Sequence, residues 1–277
     1  MCIDYLQFNI YYPELLSIFY LREHTMQAII LSAGQGKRLG KLTEATPKCL
    51  LEINDKSILE LQLNTLQSCG VERIHVVVGF AAEKVDKMIR RKFSSSLVDT
   101  IYNPFYATSE NLISCWLATP CMDSDFLLLN GDTLFEQTLL QRVIQSAVHP
   151  ITVSIDQKET YDPDDMKIIS KDNNILQIGK NIAPEETTGE SIGLHLFKKQ
   201  GAALFKSALD KIVRQDKANQ LWYLSVINRL SNIVPVGTCN IQGLNWTEID
   251  YPEDLKLAKF WGKEWNASPT RPNTQLV

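Results

Sequence analysis

The sequence has few features that would direct it to nucleic acid or to a structural metal. Its formal net charge is −4 over 277 residues, whereas phosphate backbones select basic surfaces. A small anionic substrate is still compatible with this balance, because a local cationic pocket can form within an acidic protein. Apolar residues make up 44% and charged residues 22%, which is typical of a soluble globular enzyme.

The cysteines lack the spacing of a metal site. None of the six forms a CxxC pair; they are Cys2, Cys49, Cys69, Cys115, Cys121 and Cys239. Scattered thiols of this kind are typical of a reduced, mostly buried set. The pattern argues against zinc and favours a cytoplasmic location.

The two ends of the chain lack the marks of a membrane span. The run Tyr11–Leu21 is apolar, but it is short and contains Glu14, whereas a span needs about 20 apolar residues. A signal peptide would need a basic start and a small-residue cleavage site. We interpret residues 1–25 as an N-terminal extension, added by an upstream start codon before Met26 or serving as an interfacial or docking segment. Residues 264–277 are polar and contain two prolines, which is typical of a flexible tail.

Strands alternate with helices through the first 145 residues. Apolar runs predict strands at 28–31, 74–79, 98–102 and 126–129, and helical periodicity predicts helices at 57–69, 82–92 and 111–118. This alternation is typical of a mostly parallel sheet with helices on both faces. We therefore expect residues 26–263 to form one α/β domain, a Rossmann-like three-layer sandwich.

The later half has a different pattern. Short strands are predicted at 151–155, 166–169, 175–178, 191–197 and 233–236, and helices at 199–212, 220–230 and 252–261. These elements are expected to extend the sheet and to add a small substrate lid, rather than to form an independent domain.

A glycine-rich loop follows the first strand, in Ala33-Gly34-Gln35-Gly36-Lys37-Arg38-Leu39-Gly40, with Lys48 a few residues beyond. Glycines let backbone N–H groups approach phosphate oxygens, and cations neutralise a polyphosphate. The spacing GxGxxxG excludes both the Walker loop, GxxxxGK[ST], and the dinucleotide fingerprint, GxGxxG. An ordinary surface loop is the plainer alternative. The residues here expected to contact a nucleoside triphosphate are Leu31, Ala33, Gly34, Gln35, Gly36 and Lys37.

The segment AGQGKRLGKLTEATPKCLLEIN resembles the signature of the sugar-nucleotide pyrophosphorylase-like nucleotidyltransferases, GxGxRLxPLTxxxPKxLLxI, with Lys41 in place of proline. The likeness continues through Gly79, through LNGD ending at Asp132 and through WTEIDYPEDL at 246–255. It implies a GT-A-like nucleotidyltransferase fold. Within this superfamily the chain is similar to the phosphocholine and inositol-phosphate cytidylyltransferases. The segments that carry this similarity are NPFYATSENLISCWLA, DDMKI, QIGKNI and GESIGLHLF.

Two aspartates are the candidate metal ligands. Asp132 follows a predicted strand, and ligands of parallel sheets collect beyond the carboxyl ends of the strands. Mg²⁺ favours one or two carboxylates together with phosphate oxygens and waters, and in the resembling family the positions of Asp132 and Asp250 hold it. A turn role for Asp132 and a helix N-cap role for Asp250 are the alternatives. Glu248 is an outside candidate.

The implied reaction needs no histidine base, because the attacking phosphate oxygen is already anionic near pH 7. Arg38 and Lys48 are expected to act on the triphosphate and the attacking phosphate. Lys180 matches the family lysine that meets the acceptor phosphate, and Lys167 is a weaker candidate. A solvated-surface role is the alternative for each of these lysines.

The resemblance also predicts where the nucleobase lies. Ser109 and Asn111, beside Gly79, offer groups matched to a cytosine edge. Gln62 and Gly131 complete the predicted nucleotide-binding set. Asn111 could equally be a helix N-cap, and Gln62 an ordinary polar helix position.

The predicted acceptor site contains Lys167, Glu190, Trp222 and Tyr223. With Trp246, the last two could form part of an aromatic box for a quaternary ammonium group, although aromatics at this spacing also suit a core. Leu224 and Ser225 follow Tyr223 where choline-accepting relatives tend to carry acidic residues. This departure weakens phosphocholine and leaves phosphoethanolamine, inositol phosphate and phosphonates open.

We therefore expect a cytoplasmic, Mg²⁺-dependent enzyme that transfers a cytidylyl group from CTP to a small phosphorylated alcohol. No nucleic acid and no membrane span are expected, and a homodimer is left open. Uridylyl or thymidylyl transfer to a sugar 1-phosphate is the enzymatic alternative. A non-catalytic regulatory paralogue is the alternative from another class.

Overall fold

The structure, a computed structural model, describes residues 26–146 and 148–267, with side chains up to residue 260. The predicted extension (1–25) and residues 268–277 of the predicted tail lie outside this part of the chain. Its main element is a nine-stranded sheet of order β5-β4-β1-β6-β11-β8-β12-β10-β9. The strands of the sheet are β1 (Gln27–Ser32), β4 (Arg73–Val78), β5 (Val98–Tyr102), β6 (Phe126–Asn130), β8 (Ile151–Asp156), β9 (Lys167–Lys171), β10 (Asn174–Gly179), β11 (Gly189–Phe197) and β12 (Val236–Asn240).

The sheet is mixed but mostly parallel. Strands β5, β4, β1 and β6 pair in parallel, as do β8 and β12, whereas β11 and β10 run antiparallel to their neighbours. The parallel strands read as continuous apolar runs because both of their faces are covered. In β1, Ile29 and Leu31 belong to the core on one face, and Ala28 and Ile30 to the core on the other.

Six helices of the described chain cover the two faces of the sheet: α1 (Ile58–Ser68), α2 (Ala82–Lys92), α3 (Asn111–Leu117), α4 (Gln137–Gln145), α5 (Lys199–Ile212) and α6 (Leu224–Ser231). A further helix, α7 (Pro252–Ala267), packs in a smaller third core instead. Residues of α1, α2 and α4 pack in one core, and residues of α3, α5 and α6 in the other. The predicted three-layer α/β sandwich is confirmed. Helix α4 was not predicted.

Two short antiparallel pairs complete the fold. Strands β2 (Glu52–Ile53) and β3 (Lys56–Ser57) form a hairpin before α1. Strand β7 (Thr133–Phe135) pairs with β13 (Trp246–Glu248), so a segment near the end of the domain reaches the carboxyl end of β6. The second pairing is important for the site described below.

Three predicted boundaries in the later half are wrong. Helix α6 begins at Leu224 rather than at 220, because residues 218–220 form a separate 3₁₀ turn and Leu221 is extended. Strand β12 begins at Val236 rather than at 233, since Ile233 is 75% exposed and the buried pairing with β8 starts at Val236. Helix α7 continues to Ala267, beyond the predicted end at 261.

The predicted extension of the sheet is confirmed, since β9 and β10 join it through β11 and β12. The connection between β8 and β9, residues 157–166, carries Asp164, which lies near Arg38 and Lys180. The expected substrate lid stays a prediction. Among the described residues no helix is long and apolar enough to cross a membrane.

Candidate functional site

The glycine-rich loop begins where β1 ends and folds into a 3₁₀ segment, Lys37–Thr43. Gly36 has φ 77°, in the left-handed region that glycine adopts without strain. The hydroxyl of Thr43 closes the loop by donating to the carbonyl of Gly36 at 2.8 Å. A Cβ atom at Gly34 would meet no atom within 4 Å, so this stretch of backbone is open to a ligand.

Lys48 joins the two candidate metal ligands. Its Nζ atom lies 2.7 Å from Oδ2 of Asp132 and 2.6 Å from Oδ1 of Asp250. Asp132 follows β6 and Asp250 follows β13, and the β7–β13 pairing brings the two segments together. The N–H of Ile249 donates to the carbonyl of Asp132 at 3.1 Å. Residues far apart in sequence thus meet at the carboxyl end of β6, as predicted for a parallel sheet.

This charge cluster is partly removed from solvent. Burial lowers the pKa of Lys48, but the carboxylates of Asp132 and Asp250 outweigh it and raise the pKa above its ordinary value. The Oδ1 atom of Asp132 is buried without a hydrogen-bond partner. A buried carboxylate oxygen needs a partner, and a cation suits it. Two carboxylates with one unused oxygen fit Mg²⁺, which takes its other ligands from phosphate and water.

Arg38 extends the cluster toward solvent. Its side chain is 48% exposed, and its Nη2 atom lies 3.0 Å from Oδ2 of Asp250. The guanidinium also packs on the ring of Tyr251, 5.4 Å from the ring centroid. Each oxygen of the Asp250 carboxylate therefore contacts a different cation, Lys48 or Arg38.

Glu248 borders the same cluster. The residue is exposed at the surface, on the short strand that leads to Asp250. Desolvation of its carboxylate, together with the charges of Asp132 and Asp250, raises the pKa of Glu248 to about 8. The concentration of negative charge is consistent with a place that attracts cations.

Gly79 and Gly131 allow the backbones around β1 to pack closely. A Cβ atom at Gly79 would lie 2.7 Å from the carbonyl oxygen of Ala33, and one at Gly131 would lie 2.7 Å from that of Leu31. These two carbonyls accept hydrogen bonds from the N–H groups of Phe80 and Gly131. Leu31, Ala33, Gly79 and Gly131 thus pack together beside the glycine-rich loop. A side chain at either glycine would collide with a backbone carbonyl, so packing alone already requires glycine at both positions.

The predicted base-binding residues make contacts within the protein. The hydroxyl of Ser109 donates to the carbonyl of Phe105 at 2.8 Å, and Oδ1 of Asn111 accepts from the N–H of Tyr223 at 3.1 Å. Asn111 is the first residue of α3, and Glu110 is the N-cap, so the N-cap alternative for Asn111 is wrong. Both residues remain predictions as contacts of a base.

Gln62 and Tyr223 lie inside the protein. The Nε2 atom of Gln62 donates to the carbonyls of Asn130 and Thr133, at 2.8 Å each, which braces the turn that carries Asp132. The ring of Tyr223 is fully buried, and its hydroxyl hydrogen-bonds to Asn130 Oδ1 and His195 Nε2. Tyr223 therefore belongs to the core rather than to an open aromatic box.

The other predicted acceptor residues form a polar surface beside the cluster. Nζ of Lys180 lies over the ring of Trp222, 4.8 Å from its centroid, and the Trp222 indole donates to Glu110 at 3.1 Å. Lys167 is buried and donates to the carbonyl of Lys180 at 3.0 Å, so it holds the turn that carries Lys180.

Glu190 and Trp246 differ from expectation. Glu190 is buried, and its carboxylate pairs with Lys158 at 2.9 Å. Burial raises the pKa of Glu190 to about 7, despite the charge of Lys158. Trp246 donates from its indole to Asp156 at 2.8 Å, away from Trp222. The three aromatic residues of the predicted box thus engage separate partners.

Two hollows, of about 630 and 250 Å³, flank α1, and neither is lined by Lys48, Asp132 or Asp250. Gln62 is the one predicted site residue that lines either of these two hollows. The candidate site is recognised instead by its charges and by its place at the strand ends.

Several contacting residues escaped the sequence analysis. Thr43 closes the loop, Tyr251 supports Arg38, and Asp164 lies between Arg38 and Lys180. The threonine and the tyrosine stood inside the motifs that were recognised. Asp164 also stood inside a recognised motif, DDMKI at 164–168, but its place between the two cations depends on how the connection between β8 and β9 folds.

Residues 28–195 match the family model of the MobA-like NTP transferase domain. The chain is 27% identical over 258 residues to a CTP:phosphoglutamine cytidylyltransferase of Campylobacter jejuni, covering 84% of this chain and 98% of that protein. It is 28% identical over 240 residues to the bifunctional protein GlmU of Methanococcus maripaludis, covering 84% of this chain and 53% of that protein. The chain spans about half the length, or less, of several curated relatives that it matches.

Among solved structures, the chain is similar to the inositol-1-phosphate CTP transferase from T. maritima. The TM-score is 0.73 at 23% identity, and the match covers 87% of this chain and 97% of that one. At this identity the likeness supports the fold alone, and it confirms the predicted nucleotidyltransferase fold.

Proposed function

The chain belongs to the family of MobA-like NTP transferase domains, and we propose that it transfers a cytidylyl group from CTP to a small phosphorylated alcohol with release of pyrophosphate. The observation that carries this proposal is the meeting of Lys48, Asp132 and Asp250 beside the glycine-rich loop. A cationic side chain, two carboxylates and an open loop backbone are what the transfer of a charged phosphoryl group requires.

In the proposed reaction, the side chains manage charge rather than move protons. An oxygen of the acceptor phosphate forms a bond to the α-phosphorus, and the bond to the bridging oxygen breaks as pyrophosphate leaves with the electron pair. Lys48 and Arg38 neutralise the triphosphate and the charge that develops, while Gly34 and Gly36 let the backbone approach the phosphates. Lys180 orients the acceptor phosphate. Asp132 and Asp250 would hold Mg²⁺, which would supply charge neutralisation at the phosphate oxygens.

The choice of CTP rests on the cytidylyltransferase relatives and on the polar groups of Ser109 and Asn111, which are the predicted contacts of the base. The acceptor is proposed to lie against Lys180 and Trp222, with its phosphate directed toward Arg38. Because Tyr223 is buried, the structure offers little support for a box around quaternary ammonium. Phosphoethanolamine, inositol phosphate and phosphonates are therefore preferred to phosphocholine. A cytoplasmic location and a homodimer stay predictions.

Two other functions remain to be separated. The similarity to GlmU leaves uridylyl or thymidylyl transfer to a sugar 1-phosphate as the enzymatic alternative. A non-catalytic paralogue would have no need of Arg38, Lys48, Asp132 and Asp250 together, and their mutual contacts argue against it.

The experiment is a pyrophosphate-release assay with each of the four NTPs, against a panel of phosphorylated alcohols and sugar 1-phosphates, with Mg²⁺ or with EDTA. We expect turnover with CTP, a phosphorylated alcohol and Mg²⁺. A preference for UTP or dTTP with a sugar 1-phosphate would establish the alternative. An absence of turnover with every pair, combined with no detectable nucleotide binding, would exclude the enzymatic function.

A further inference from the structure

The carboxylate of Asp164 lies between two cations that belong to different parts of the site. Its Oδ2 atom is 3.6 Å from Nη1 of Arg38, and its Oδ1 atom is 3.4 Å from Nζ of Lys180. Arg38 comes from the glycine-rich loop and Lys180 from the turn after β10. One carboxylate therefore joins the nucleotide side of the site to the acceptor side.

The two cations are themselves held in place by other contacts. Arg38 is fixed by Asp250 and Tyr251, and Lys180 lies over Trp222 while Lys167 holds its carbonyl. They do not depend on Asp164 for their position. An anion that replaced Asp164 would therefore find both cations already oriented.

The connection that carries Asp164 is anchored through the neighbouring residue, Asp165, rather than through Asp164 itself. Asp165 pairs with Lys158 at 2.8 Å, and the same Lys158 pairs with the buried Glu190 at 2.9 Å. Asp165 also accepts from the N–H of Asp162 at 2.6 Å. The neighbouring residue thus holds the turn, and the Asp164 side chain is left to contact the two cations.

The contacts of Asp164 are also weak ones. Charge-assisted hydrogen bonds measure about 2.7–2.9 Å, shorter than either contact here. The Asp164 side chain is 68% exposed, and exposed ion pairs contribute little. Lys48, by contrast, holds its two carboxylates at 2.6 and 2.7 Å. An incoming phosphate would displace Asp164 far more readily than it would separate the Lys48 cluster.

We propose that Asp164 occupies the position of the acceptor phosphate between Arg38 and Lys180, and that the phosphate monoester of the acceptor displaces it on binding. The proposal rests on the function proposed above, because it takes the ligand to be the attacking phosphate. The observed carboxylate directs each of its two oxygens at a different cation. The expected phosphate would do the same. While Asp164 occupies this position, the acceptor phosphate cannot bind there. The apparent affinity for the acceptor is therefore reduced to the fraction of molecules in which the position is free.

The test is the binding of inorganic phosphate to the full chain, measured by calorimetry at fixed ionic strength. Asp164→Asn keeps the size of the side chain and removes its charge. We expect the dissociation constant for phosphate to fall about threefold to tenfold, since two exposed charge contacts no longer compete. Asp164→Ser should give the same direction of change.

Asp162→Asn is the matched control, because it removes the same charge from the same connection. Asp162 forms no ion pair within the described part of the chain, and the variant should change the phosphate affinity less than twofold. In the double variant Asp164→Asn/Lys180→Gln, the gain should disappear, since phosphate would lose one of its two cations.

An unchanged or weaker phosphate affinity in Asp164→Asn would overturn the proposal, as would an equal gain in Asp162→Asn, which would indicate a general charge effect. These measurements need no turnover. If the NTP panel gives neither turnover nor nucleotide binding but Asp164→Asn still binds phosphate more tightly, the function proposed for the chain is wrong and the competition stands. If turnover is found, Asp164→Asn should lower the KM for the acceptor without raising kcat.

Discussion

The side chain of Lys48 crosses directly over Gly36. A Cβ atom placed on Gly36 would lie 2.9 Å from both Cβ and Cδ of Lys48, closer than real atoms of this kind approach. Gly36 is therefore required by a lysine of the protein itself as well as by the left-handed turn. The glycine-rich loop shapes the path along which Lys48 reaches Asp132 and Asp250.

Gly36→Ala should displace Lys48 and reduce turnover at least tenfold. The added methyl group meets the lysine stem, and the left-handed backbone costs about 1–2 kcal/mol without glycine. Gly70→Ala is the control, since Gly70 has φ 83° but open space around it, far from the site. Unfolding and initial rates should show a similar loss of stability in both variants, with an activity loss in Gly36→Ala alone. Equal activities would show that the path of Lys48 does not matter.

Asp132→Asn and Asp250→Asn should each lower turnover by orders of magnitude while the chain still folds. Each change removes one charge from the proposed metal pair and one partner from Lys48. Asp210→Asn removes a charge from an exposed pair with Arg214 and should have no effect. Rates of pyrophosphate release and circular dichroism spectra check this. A rate near that of the unmodified protein would remove that aspartate from the metal site.

Lys48→Met should make the thermal stability of the protein more dependent on Mg²⁺ in the absence of nucleotide. The ammonium group now lies between two carboxylates, which repel one another without it. A divalent cation then replaces the lost charge and stabilises the fold by mass action. The melting temperature of Lys48→Met should rise with Mg²⁺ by several degrees more than that of the unmodified protein. An equal rise in both proteins would argue that Mg²⁺ binds elsewhere.

The stability of the fold should fall at alkaline pH through His75. Burial lowers the pKa of His75, but the carboxylate of Asp99, 2.6 Å from Nδ1, and the nearby Cys121 outweigh it and raise the pKa to about 9. An unfolded histidine titrates near pH 6.5, so the contribution is complete below that value and is lost as the pH rises through 9. The full shift corresponds to about 3 kcal/mol of unfolding free energy, and because the Asp99 side chain is 37% exposed, solvent screening reduces this to roughly 2 kcal/mol. Urea unfolding between pH 6 and 9.5 should show this loss, and His75→Gln should flatten it.

Tyr223→Phe should destabilise the protein by about 1–3 kcal/mol, because it leaves Asn130 and His195 without a buried hydrogen-bond partner. Tyr102→Phe, at an exposed position, should change the free energy of unfolding by less than about 0.5 kcal/mol. Urea denaturation measures both. An unchanged stability accompanied by a large rise in the acceptor KM would return Tyr223 to the acceptor site.

Local sequence was enough for most strands and helices of the first half of the fold, although α4 was not predicted. The apolar runs in β1, β4 and β6 and the helical spacing of α1 and α2 agree with their positions in the sheet. Each of these elements is long and uniform in pattern, so tertiary contacts did not override it. In the later half, the observed starts of α6 and β12 differ from the predicted ones. Neighbouring elements, rather than periodicity, decide where Trp222 and Ile233 lie.

The predicted residues of the candidate site fall into two groups: those that the structure brings together, and those whose side chains are bound within the protein. Lys48, Asp132 and Asp250 stand in motifs, and the structure brings them together. Gln62 and Tyr223 were assigned to ligands, but their side chains satisfy buried groups of the protein. A single sequence does not distinguish a polar group that faces a ligand from one that braces a turn, since both need a hydrogen-bonding side chain at that position.

The pairing of β13 with β7 also has a consequence for how the protein is made. Lys48 and Asp250 are separated by 202 residues, so on the ribosome the glycine-rich loop, Lys48 and Asp132 emerge long before their last partner. Until β13 docks, a nascent chain holds the glycine-rich loop and Lys48 with only half of the carboxylate pair. Synthesis from the N-terminus therefore delays the proposed catalytic arrangement until nearly the whole domain has folded.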